Sequence, residues 1–535
     1  MKANVVKTFL NVHTWTGLGA GMALFIAFYA GAMTVFFHEL EVWDSHAATV
    51  AESGSHADAQ RLIDRVLQED PAAAASLRLY PAQPGHPENV ARWFERTEGG
   101  TFERHDYRLE GDGLNREQDN AHLAGFIYRL HYTAGLPSSF GLYVLGIVCL
   151  IYGIALVSGL LVFLPGLFKD LFALRPGKNN KRFWLDTHNI VGVLSLPWHI
   201  MFAWSSAVLA IGVFFLAPFQ FLVFEDDLQA LFGAELGLAA PMEPAGQSAP
   251  LVPVAELLRI ADAEAPGIEA TQLRYSHAGD ANATVTIYGD VPVETLDTSA
   301  AVTLSATTGA VLNVSHPERA SAGATFYNGL IALHFVSFGG FAAKWLYFVL
   351  GLAGAYLFYS GNLLWVETRR RRRQPEQPGN TLFLARLNTG VCVGCMAGIS
   401  AAFLASRALA DFADRADYTE LAYFGVFLGA LGWSFLRSVP NGARDLLYLC
   451  AGLTALIPAF DAIFVDMPIW RSLLQARWEL FVVDALAIAA AVAFWRMAVA
   501  VERRARSGET NSVWAQPQVG SPTTAPSAGA SLQNP

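Results

Sequence analysis

Apolar residues gather into long runs that alternate with polar segments along the chain. A membrane-spanning helix needs about 20 consecutive, mostly apolar residues. Runs near that length lie at residues 15–37, 141–164, 190–216, 342–365, 387–408, 420–437, 445–465 and 479–500. The sixth run is short and the eighth contains Asp484, so these two fit the pattern least well. The pattern predicts an all-α polytopic membrane bundle of about eight helices.

Two long polar segments, residues 38–140 and 217–340, interrupt the first four runs. Each begins with the periodicity of an amphipathic helix, at 58–68 and at 252–263, and continues with strand-like alternation. The strand-like stretches lie at 77–80, 90–95, 102–109, 271–276, 283–288, 301–305 and 310–314. Each segment is therefore predicted to form a small α+β module.

Two histidine motifs occur twice, in the same order along the chain. VHTWTG at His13 matches THNIVG at His188, and both place a glycine four residues after the histidine. LHYTAG at His131 matches LHFVSFGG at His334, and both precede an inward-running helix. Because the copies run in the same direction, a pseudo-two-fold axis along the membrane normal is expected. The last four runs contain no histidine and no visible copy.

The distribution of charge predicts the orientation in the membrane. The chain carries a net charge of −10 and only 15% charged residues. Basic residues nevertheless cluster beside alternate helix ends: Lys2 and Lys7; Lys169, Arg175, Lys178, Lys181 and Arg182; Arg369 to Arg373; Arg437 and Arg444; and Arg503, Arg504 and Arg506. The segment between the fifth run and the start of the sixth, on the opposite side of the membrane from these clusters, is acidic: it contains Asp411, Asp414, Asp417 and Glu420. Positive loops stay in the cytoplasm, so both termini are predicted to be cytoplasmic. Basic runs next to spans do not indicate nucleic-acid binding.

These boundaries divide the chain into consecutive units. They are helix 1 (1–37), exported module 1 (38–140), helices 2–3 with a basic loop (141–216), exported module 2 (217–340), helix 4 (341–365), a polybasic loop (366–386), helices 5–8 (387–500) and a tail predicted to be disordered (501–535).

The first run is too long for a signal-peptide core and no cleavage motif follows it, so an uncleaved anchor is expected. Cys392 and Cys395 form a C-x-x-C, but a Gly/Ala-rich helix favours small-residue packing over a redox motif.

Five histidines lie at or within the apolar runs, where an ionisable side chain is costly and usually serves a site. They are His13, His131, His188, His199 and His334. The repeat places His13 opposite His188 and His131 opposite His334. Two facing imidazoles can bind one haem iron axially. Zinc and copper also bind imidazole, but the aromatic and aliphatic surroundings favour a porphyrin. For histidines in polar sequence, such as His105, solvation is a sufficient explanation.

Further details of the sequence fit two haem groups. Gly17 and Gly192 remove side-chain bulk one turn from a histidine, which would let a flat macrocycle approach the backbone. His188 and His199 are eleven residues apart, so a continuous helix would place them on one face, about 16 Å apart. His199 is therefore an alternative ligand. The chain has no C-x-x-C-H attachment motif, which predicts haem b rather than covalently bound haem.

Four sequence blocks that contain these motifs resemble the PepSY-associated transmembrane family of bacterial iron-regulated membrane proteins. The blocks are HTWTGLGAGMALFIAFYAGAMTVFFHELEVW, LHYTAGLPSSFGLYVLGIVCLIYGIALVSGLLVFLP, WLDTHNIVGVLSLPWHIM and LHFVSFGGFAAKWLYFVLGLAGAYLFYSGNLLW. The resemblance covers residues 1–365 and implies a bacterial inner-membrane protein with periplasmic PepSY-like modules. Some members of this family are di-haem ferric-siderophore reductases, and others have no assigned activity. All five membrane histidines match the family's histidine positions.

The leading hypothesis is a haem b protein, surrounded by membrane lipid, that passes electrons to a ferric siderophore or another periplasmic acceptor. No G-x-G-x-x-G motif or flavin-sized soluble domain is present, so a quinol or a separate protein would donate the electrons. One alternative is a haem-free periplasmic binding or anchoring protein. Another is a transporter-like permease for iron or siderophore uptake that uses Asp461 and Asp484, although Asp461 is expected to face water near a helix end.

Overall fold

A computed structural model of the chain describes residues 3–44, 54–83, 88–96, 102–111, 113–117, 122–167, 174–175, 180–222, 242–371, 373–374, 376–410, 412, 414–508 and 511–516. Lys2, Lys169, Lys178, Arg372, Asp411 and the tail after residue 516 are outside these ranges, so the predictions made for them concern residues that are not described.

Long apolar helices form the membrane bundle. They are α1 Ala3–Thr34, α5 Ser138–Phe163, α6 Asn180–Leu194, α7 Leu196–Leu222, α10 Gly340–Thr368, α11 Gly379–Ala408, α12 Arg415–Leu436, α13 Val439–Phe464 and α15 Trp478–Ser507. Among the described residues, seven helices are each long and apolar enough to span a membrane, and α6 with α7 is long and apolar enough only as a bent pair, the pattern of a broken span or a re-entrant loop. The prediction of a polytopic helical bundle is confirmed.

The third span is broken, which the sequence pattern did not predict. α6 and α7 meet at an angle of 69°, and Ser195 lies between them. Pro197 stands in the first turn of α7, where it has no N–H to donate to the Val193 carbonyl and its ring clashes with that carbonyl, so one straight α-helix cannot run through this point. The break lies between His188 and His199. The continuous-helix spacing of about 16 Å predicted for these two histidines is therefore wrong.

Three shorter helices connect spans to the polar segments: α2 Phe37–Asp44, α4 His122–Thr133 and α9 Ala322–Phe335. A fourth, α14 Ile469–Leu474, lies between the spans α13 and α15. His131 and His334 lie near the C-terminal ends of α4 and α9. α4 ends at Ala134 and Gly135, which have φ of 51° and 82°, and α9 ends at Val336, with φ of 52°. These left-handed residues end each helix immediately after its histidine.

The two polar segments supply the helices and strands of an antiparallel sheet domain. Its elements are α3 His56–Glu69, β1 Arg78–Tyr80, β2 Val90–Arg96, β3 Phe102–Glu110, β4 Gly113–Glu117, α8 Val254–Glu264, β5 Glu269–Ser276, β6 Thr284–Asp290, β7 Ser299–Ser305 and β8 Val311–Ser315. Single 3₁₀ turns occur at Pro71–Ala75, Leu164–Gly166 and Pro317–Arg319. The predicted helices and strands of both segments are present, and β4 is an addition.

The two segments form one sheet rather than two separate modules. The strand order is β4-β3-β2-β1-β5-β6-β7-β8, and the halves join where Leu79 of β1 pairs with Leu273 of β5. Residues of both halves share one hydrophobic core, in which Leu62 of α3 and Leu257 of α8 are fully buried. The two predicted α+β modules are therefore joined in one sheet and one core. β1 has only three residues and gains a second partner by pairing across the halves.

The shared sheet determines how many times the chain crosses the membrane. Because β1 and β5 are paired, the two polar segments lie on the same side of the membrane. The chain between them must cross an even number of times. α5 and the bent pair α6–α7 would supply two such crossings. With that pair counted as one span, the described residues contain eight candidate spans.

α11 is the most deeply buried span. Its Gly390, Gly394 and Gly398 face α12, and a Cβ at these positions would lie 2.6, 3.1 and 2.9 Å from the nearest α12 atoms. Glycines at every fourth position allow two membrane helices to approach closely. Cys392 and Cys395 on the same helix are buried and free, as expected for packing residues.

The C-terminal residues are more ordered than the predicted boundary at 501 implies. α15 continues to Ser507. Val513 is buried against Trp365, Val366 and Leu384, and the Asn511 carbonyl accepts a hydrogen bond from Arg370 Nε at 2.8 Å. The chain directly after α15 therefore folds back onto the ends of α10 and α11.

Candidate functional site

Four of the five membrane histidines form two facing pairs. His13 on α1 lies beside His188 on α6, and their ring centroids are 6.2 Å apart at an interplanar angle of 66°. His131 on α4 lies beside His334 on α9, also with centroids 6.2 Å apart, at an angle of 45°. The structure thus brings together the histidines that the repeat predicted to face each other, one pair toward each end of the bundle.

Backbone carbonyls fix the ring orientation of one histidine in each pair. His13 Nδ1 lies 2.8 Å from the Ala155 carbonyl oxygen of α5. His131 Nδ1 lies 2.8 Å from the Ala27 carbonyl oxygen of α1. A carbonyl oxygen can only accept, so Nδ1 of each ring carries the proton and donates it. In a neutral imidazole the lone pair available for a metal is then on Nε2.

Serine hydroxyls have the same role for the other two histidines. Ser360 Oγ donates to the Leu357 carbonyl at 3.0 Å, which leaves its lone pairs to accept from His188 Nδ1 at 3.0 Å. Ser205 Oγ donates to the Met201 carbonyl at 2.8 Å and accepts from His334 Nδ1 at 2.7 Å. All four paired histidines therefore present an unprotonated Nε2.

The separation of the rings fits two ligands of one metal ion. Metal–imidazole nitrogen bonds are about 2 Å long, and a five-membered ring with bonds of about 1.33 Å has a radius of about 1.1 Å. Imidazoles bound on opposite sides of one ion would thus have centroids about 6.2 Å apart. Both pairs have this separation.

Each histidine pair offers two imidazole nitrogens as protein ligands. Within the part of the chain that the structure describes, no group of three or more histidine, cysteine, aspartate or glutamate side chains could hold a metal ion. Structural and catalytic zinc sites use three or four protein ligands. Haem iron takes its equatorial ligands from the porphyrin and needs only axial ligands from the protein. The donor set of two neutral imidazoles fits a haem.

Small residues allow the helices to approach the paired histidines. A Cβ at Gly159 of α5 would lie 2.8 Å from His13, and a Cβ at Gly31 of α1 would lie 2.6 Å from His131. At Gly361 of α10, the distance to His188 would be 3.3 Å. A Cβ at Gly17 would meet no atom within 4 Å, so the space beside that residue is open, as the sequence suggested. Gly192 instead packs against Leu357.

His199 has a different environment from the paired histidines. It is 1% exposed, and its Nδ1 contacts the Tyr152 hydroxyl of α5. Its Nε2 is buried and has no hydrogen-bond partner within the described ranges. The neighbouring rings are aromatic, with Phe28 at 5.7 Å and Phe358 at 6.4 Å between centroids. His199 thus remains a candidate ligand, but the structure places no second histidine ring opposite it.

Aromatic rings fill the region between the two pairs. Phe202 lies 5.7 Å from His334 and 5.8 Å from Phe28, and Phe28 lies 5.7 Å from His199. Along α1, His13 is fourteen residues from Ala27, the acceptor of His131, which corresponds to about 21 Å. The pairs are therefore well separated, with His199 and its aromatic neighbours between them.

Sequence reasoning identified the histidines but not their partners. No motif distinguishes these partners, because they stand in apolar runs where small residues are common: Ser205, Ser360, Gly31 and Gly159.

A further correction concerns His105 of the sheet domain, which is not simply solvated. It is 3% exposed, its ring stacks on Trp93 at 4.7 Å, and it contacts Glu95 at 3.1 Å.

Together, these features define a multi-pass membrane protein that brings histidine pairs together at both ends of one helix bundle. Residues 10–368 match the family described as the PepSY-associated TM region, and the chain belongs to that family. It is also 29% identical, over 266 residues, to an uncharacterized protein of Pseudomonas aeruginosa. That similarity covers 45% of this chain and 64% of the relative. The family match ends with α10, so α11 to α15 lie beyond it.

Proposed function

We propose that this protein is a haem b-containing transmembrane electron-transfer protein. His13 and His188 would hold one haem, and His131 and His334 a second. The observation that supports this most directly is the 6.2 Å spacing of both pairs, together with Nδ1 contacts that leave each Nε2 free. A bound haem b supplies a one-electron redox centre.

The residues around each pair would orient the ligands and exclude water. The carbonyls of Ala27 and Ala155 and the hydroxyls of Ser205 and Ser360 hold the imidazole rings in the tautomer that binds a metal. Such contacts also make a histidine ligand more basic. The surrounding apolar helices lower the local dielectric, which influences the redox potential of a site.

The proposed direction of electron flow follows from the orientation of the bundle. Basic loops lie opposite the sheet domain, which supports a periplasmic location for that domain. His131 and His334 lie on helices at the sheet-domain end, and His13 and His188 toward the other end. Electrons would enter from a quinol or a separate protein near His13 and leave near His131. A ferric siderophore is the proposed acceptor, and the protein would act as a ferric-siderophore reductase of the inner membrane.

Absorption spectroscopy of histidine variants tests this proposal. Wild-type protein purified from haem-sufficient cells should show reduced-minus-oxidised bands of six-coordinate haem b. His13→Ala or His188→Ala should remove about half of the haem, and His131→Ala or His334→Ala the other half. The latter variants should also abolish reduction of a ferric siderophore by the purified protein.

His199→Ala is the matched control, because the ring neighbours of this buried histidine among the described residues are Phe28, Tyr152 and Phe358 rather than a second histidine. It should retain both haems. If His199→Ala loses a whole haem and His13→Ala loses none, the proposed pairing is wrong. If haem-sufficient cells give colourless wild-type protein, electron transfer is excluded, and a haem-free binding or anchoring role takes its place.

A further inference from the structure

A buried cluster of charged residues lies apart from the histidine pairs, where α2 meets the last four spans. Its members are Trp43 and Asp44 of α2, Ser406 and Arg407 of α11, Arg415 of α12, Asp461 of α13 and Asp484 of α15. All of them are buried. The expectation that Asp461 faces water is wrong, since this residue is 0% exposed. Ionisable groups within a membrane bundle usually mark a functional site.

Two arginines neutralise two of the three carboxylates. Arg415 forms an ion pair with Asp44, which also accepts a hydrogen bond from Ser406. Arg407 Nε lies 3.0 Å from Asp461 Oδ1, and its Nη2 donates to Asp461 Oδ2 at 3.1 Å. Two carboxylate–guanidinium pairs therefore account for all the positive charge in the cluster.

Trp43 connects Arg407 and Asp461. Its indole Nε1 donates to Asp461 Oδ2 at 3.2 Å, and the guanidinium of Arg407 lies 4.2 Å from its ring centroid. An aromatic face attracts a cation at this distance. The arginine can thus change its carboxylate partner and still keep a favourable contact with the indole.

Asp484 is the third carboxyl of the cluster. It is 0% exposed, and neither of its oxygens has a hydrogen-bond partner among the residues that the structure describes. Leu480 and Ala487 on the same helix face belong to the hydrophobic core. The carboxyl nevertheless lies close enough to Asp461 and Arg407 to interact with both electrostatically.

An ionised Asp484 would be an unpaired buried charge. Such a charge is far more costly than a neutral acid in the same place. Among the elements packed against α15, α2 contributes Trp43 and Asp44 and α13 contributes Asp461. The charged residue of α14, Arg471, pairs with Asp466 at the surface. A proton on Asp484 balances the cluster, because three carboxyls then face two guanidinium groups without excess charge.

We propose that Asp484 is a proton-binding site and exchanges its proton with Asp461 across Arg407. In this step the O–H bond of Asp484 breaks, and its electron pair stays on the Asp484 carboxylate. The proton bonds to a carboxylate oxygen of Asp461, while Arg407 moves from Asp461 to Asp484. The net charge of the cluster does not change, so no uncompensated charge is created. The last four spans, which lie beyond the family match, would thus form a proton-handling unit.

Infrared spectroscopy of the full-length protein in lipid nanodiscs tests this proposal. A protonated carboxylic acid has a carbonyl stretching band that ionised carboxylates lack. The wild-type protein at neutral pH should show a buried-acid band that shifts after transfer to heavy water. Asp484→Asn, which is nearly isosteric, should lose that band. The surface variant Asp445→Asn should keep it.

Asp461→Asn distinguishes an exchanging pair from a permanently protonated Asp484. Without Asp461, Arg407 has no counter-ion, so Asp484 should ionise to replace it, and the band should disappear. The proposal is overturned if the band persists in Asp461→Asn, if it does not shift in heavy water, or if the wild type lacks it. A band that emerges only when sodium is removed would also overturn it, by indicating a metal cation. If Asp461→Asn does not fold, Asp484→Asn and the isotope shift decide the outcome.

Discussion

The hydrogen bonds to the paired histidines allow a separate prediction for each of the two serines that accept them. Ser360 and Ser205 accept hydrogen bonds from His188 and His334, and removing the hydrogen-bond partner of a metal-binding histidine typically weakens metal binding by about 10–100-fold. Ser360→Ala should therefore lower haem retention at the His13–His188 pair, and Ser205→Ala at the other pair. Ser472→Ala is the control, because Ser472 is a buried serine whose Oγ donates to the Ile469 carbonyl of its own helix, away from the histidine pairs. Haem titration of apoprotein measures the change, and equal affinities in all three variants would contradict it.

Two glycines give a steric test of the same pairs. The Cβ of Gly159→Ala would lie 2.8 Å from His13, and that of Gly31→Ala 2.6 Å from His131. Each methyl group should displace one imidazole ring and reduce the haem content at that pair alone. The two variants are controls for each other. Gly432→Ala, where a Cβ would meet nothing within 4 Å, should retain the full spectrum. Loss of both haems in either histidine-contacting variant would indicate general misfolding instead.

The sequence predicted the histidines and their pairing because histidines are rare in apolar runs and the two motifs repeat. It could not predict their acceptors. His13 and Ala155 are on different helices, and so are His188 and Ser360. Which carbonyl or hydroxyl meets a given ring depends on the rotation of packed helices, which apolar periodicity does not specify in a bundle that is apolar on most faces.

At the scale of single elements, α4 depends on the spans that follow the family region. The Leu123 amide at the start of α4 donates to Asp44 Oδ2 at 3.0 Å, and Asp44 is held by Arg415 of α12. Breaking a buried ion pair by removing one partner costs about 3–5 kcal/mol. Arg415→Leu should therefore destabilise the bundle by about that amount. Haem at the His131 pair should be lost before haem at the His13 pair.

Arg437→Leu is the matched control for Arg415→Leu. Arg437 pairs with Asp445 at a partly exposed position, where an ion pair contributes at most about 1 kcal/mol. Thermal unfolding in detergent, followed by the absorption of haem, would compare the two variants. Similar melting temperatures would show that the buried pair does not support α4.

Most element boundaries followed from periodicity, since the spans and strands matched their apolar patterns closely. Two features of the fold did not follow from periodicity. The bend before α7 depends on Pro197 within an apolar run that reads as one span. The fusion of the two modules depends on β1, whose three residues are too few to indicate their strand partners. Pairing between distant segments is a tertiary property that a local pattern does not contain.

For the whole molecule, the shared sheet and eight spans predict a definite topology. Alkaline phosphatase fused after Ala320 should be active, because that residue follows the sheet domain on the proposed periplasmic side. Fusion after Arg373, beyond α10, should be inactive. The reverse result would invert the proposed direction of electron flow. Equal activity at both positions would mean that α10 does not cross the membrane.

The β1–β5 pairing has a consequence for biosynthesis. β1 leaves the ribosome first, but its partner β5 follows roughly 200 residues later, which at ordinary translation rates is a delay of about 10–40 s. During this interval α5 and the bent pair α6–α7 must enter the bilayer, and the first four strands must wait with an open edge. The sheet can close only if both crossings were inserted correctly. A chain in which either crossing failed to insert would therefore leave β1 without its partner β5.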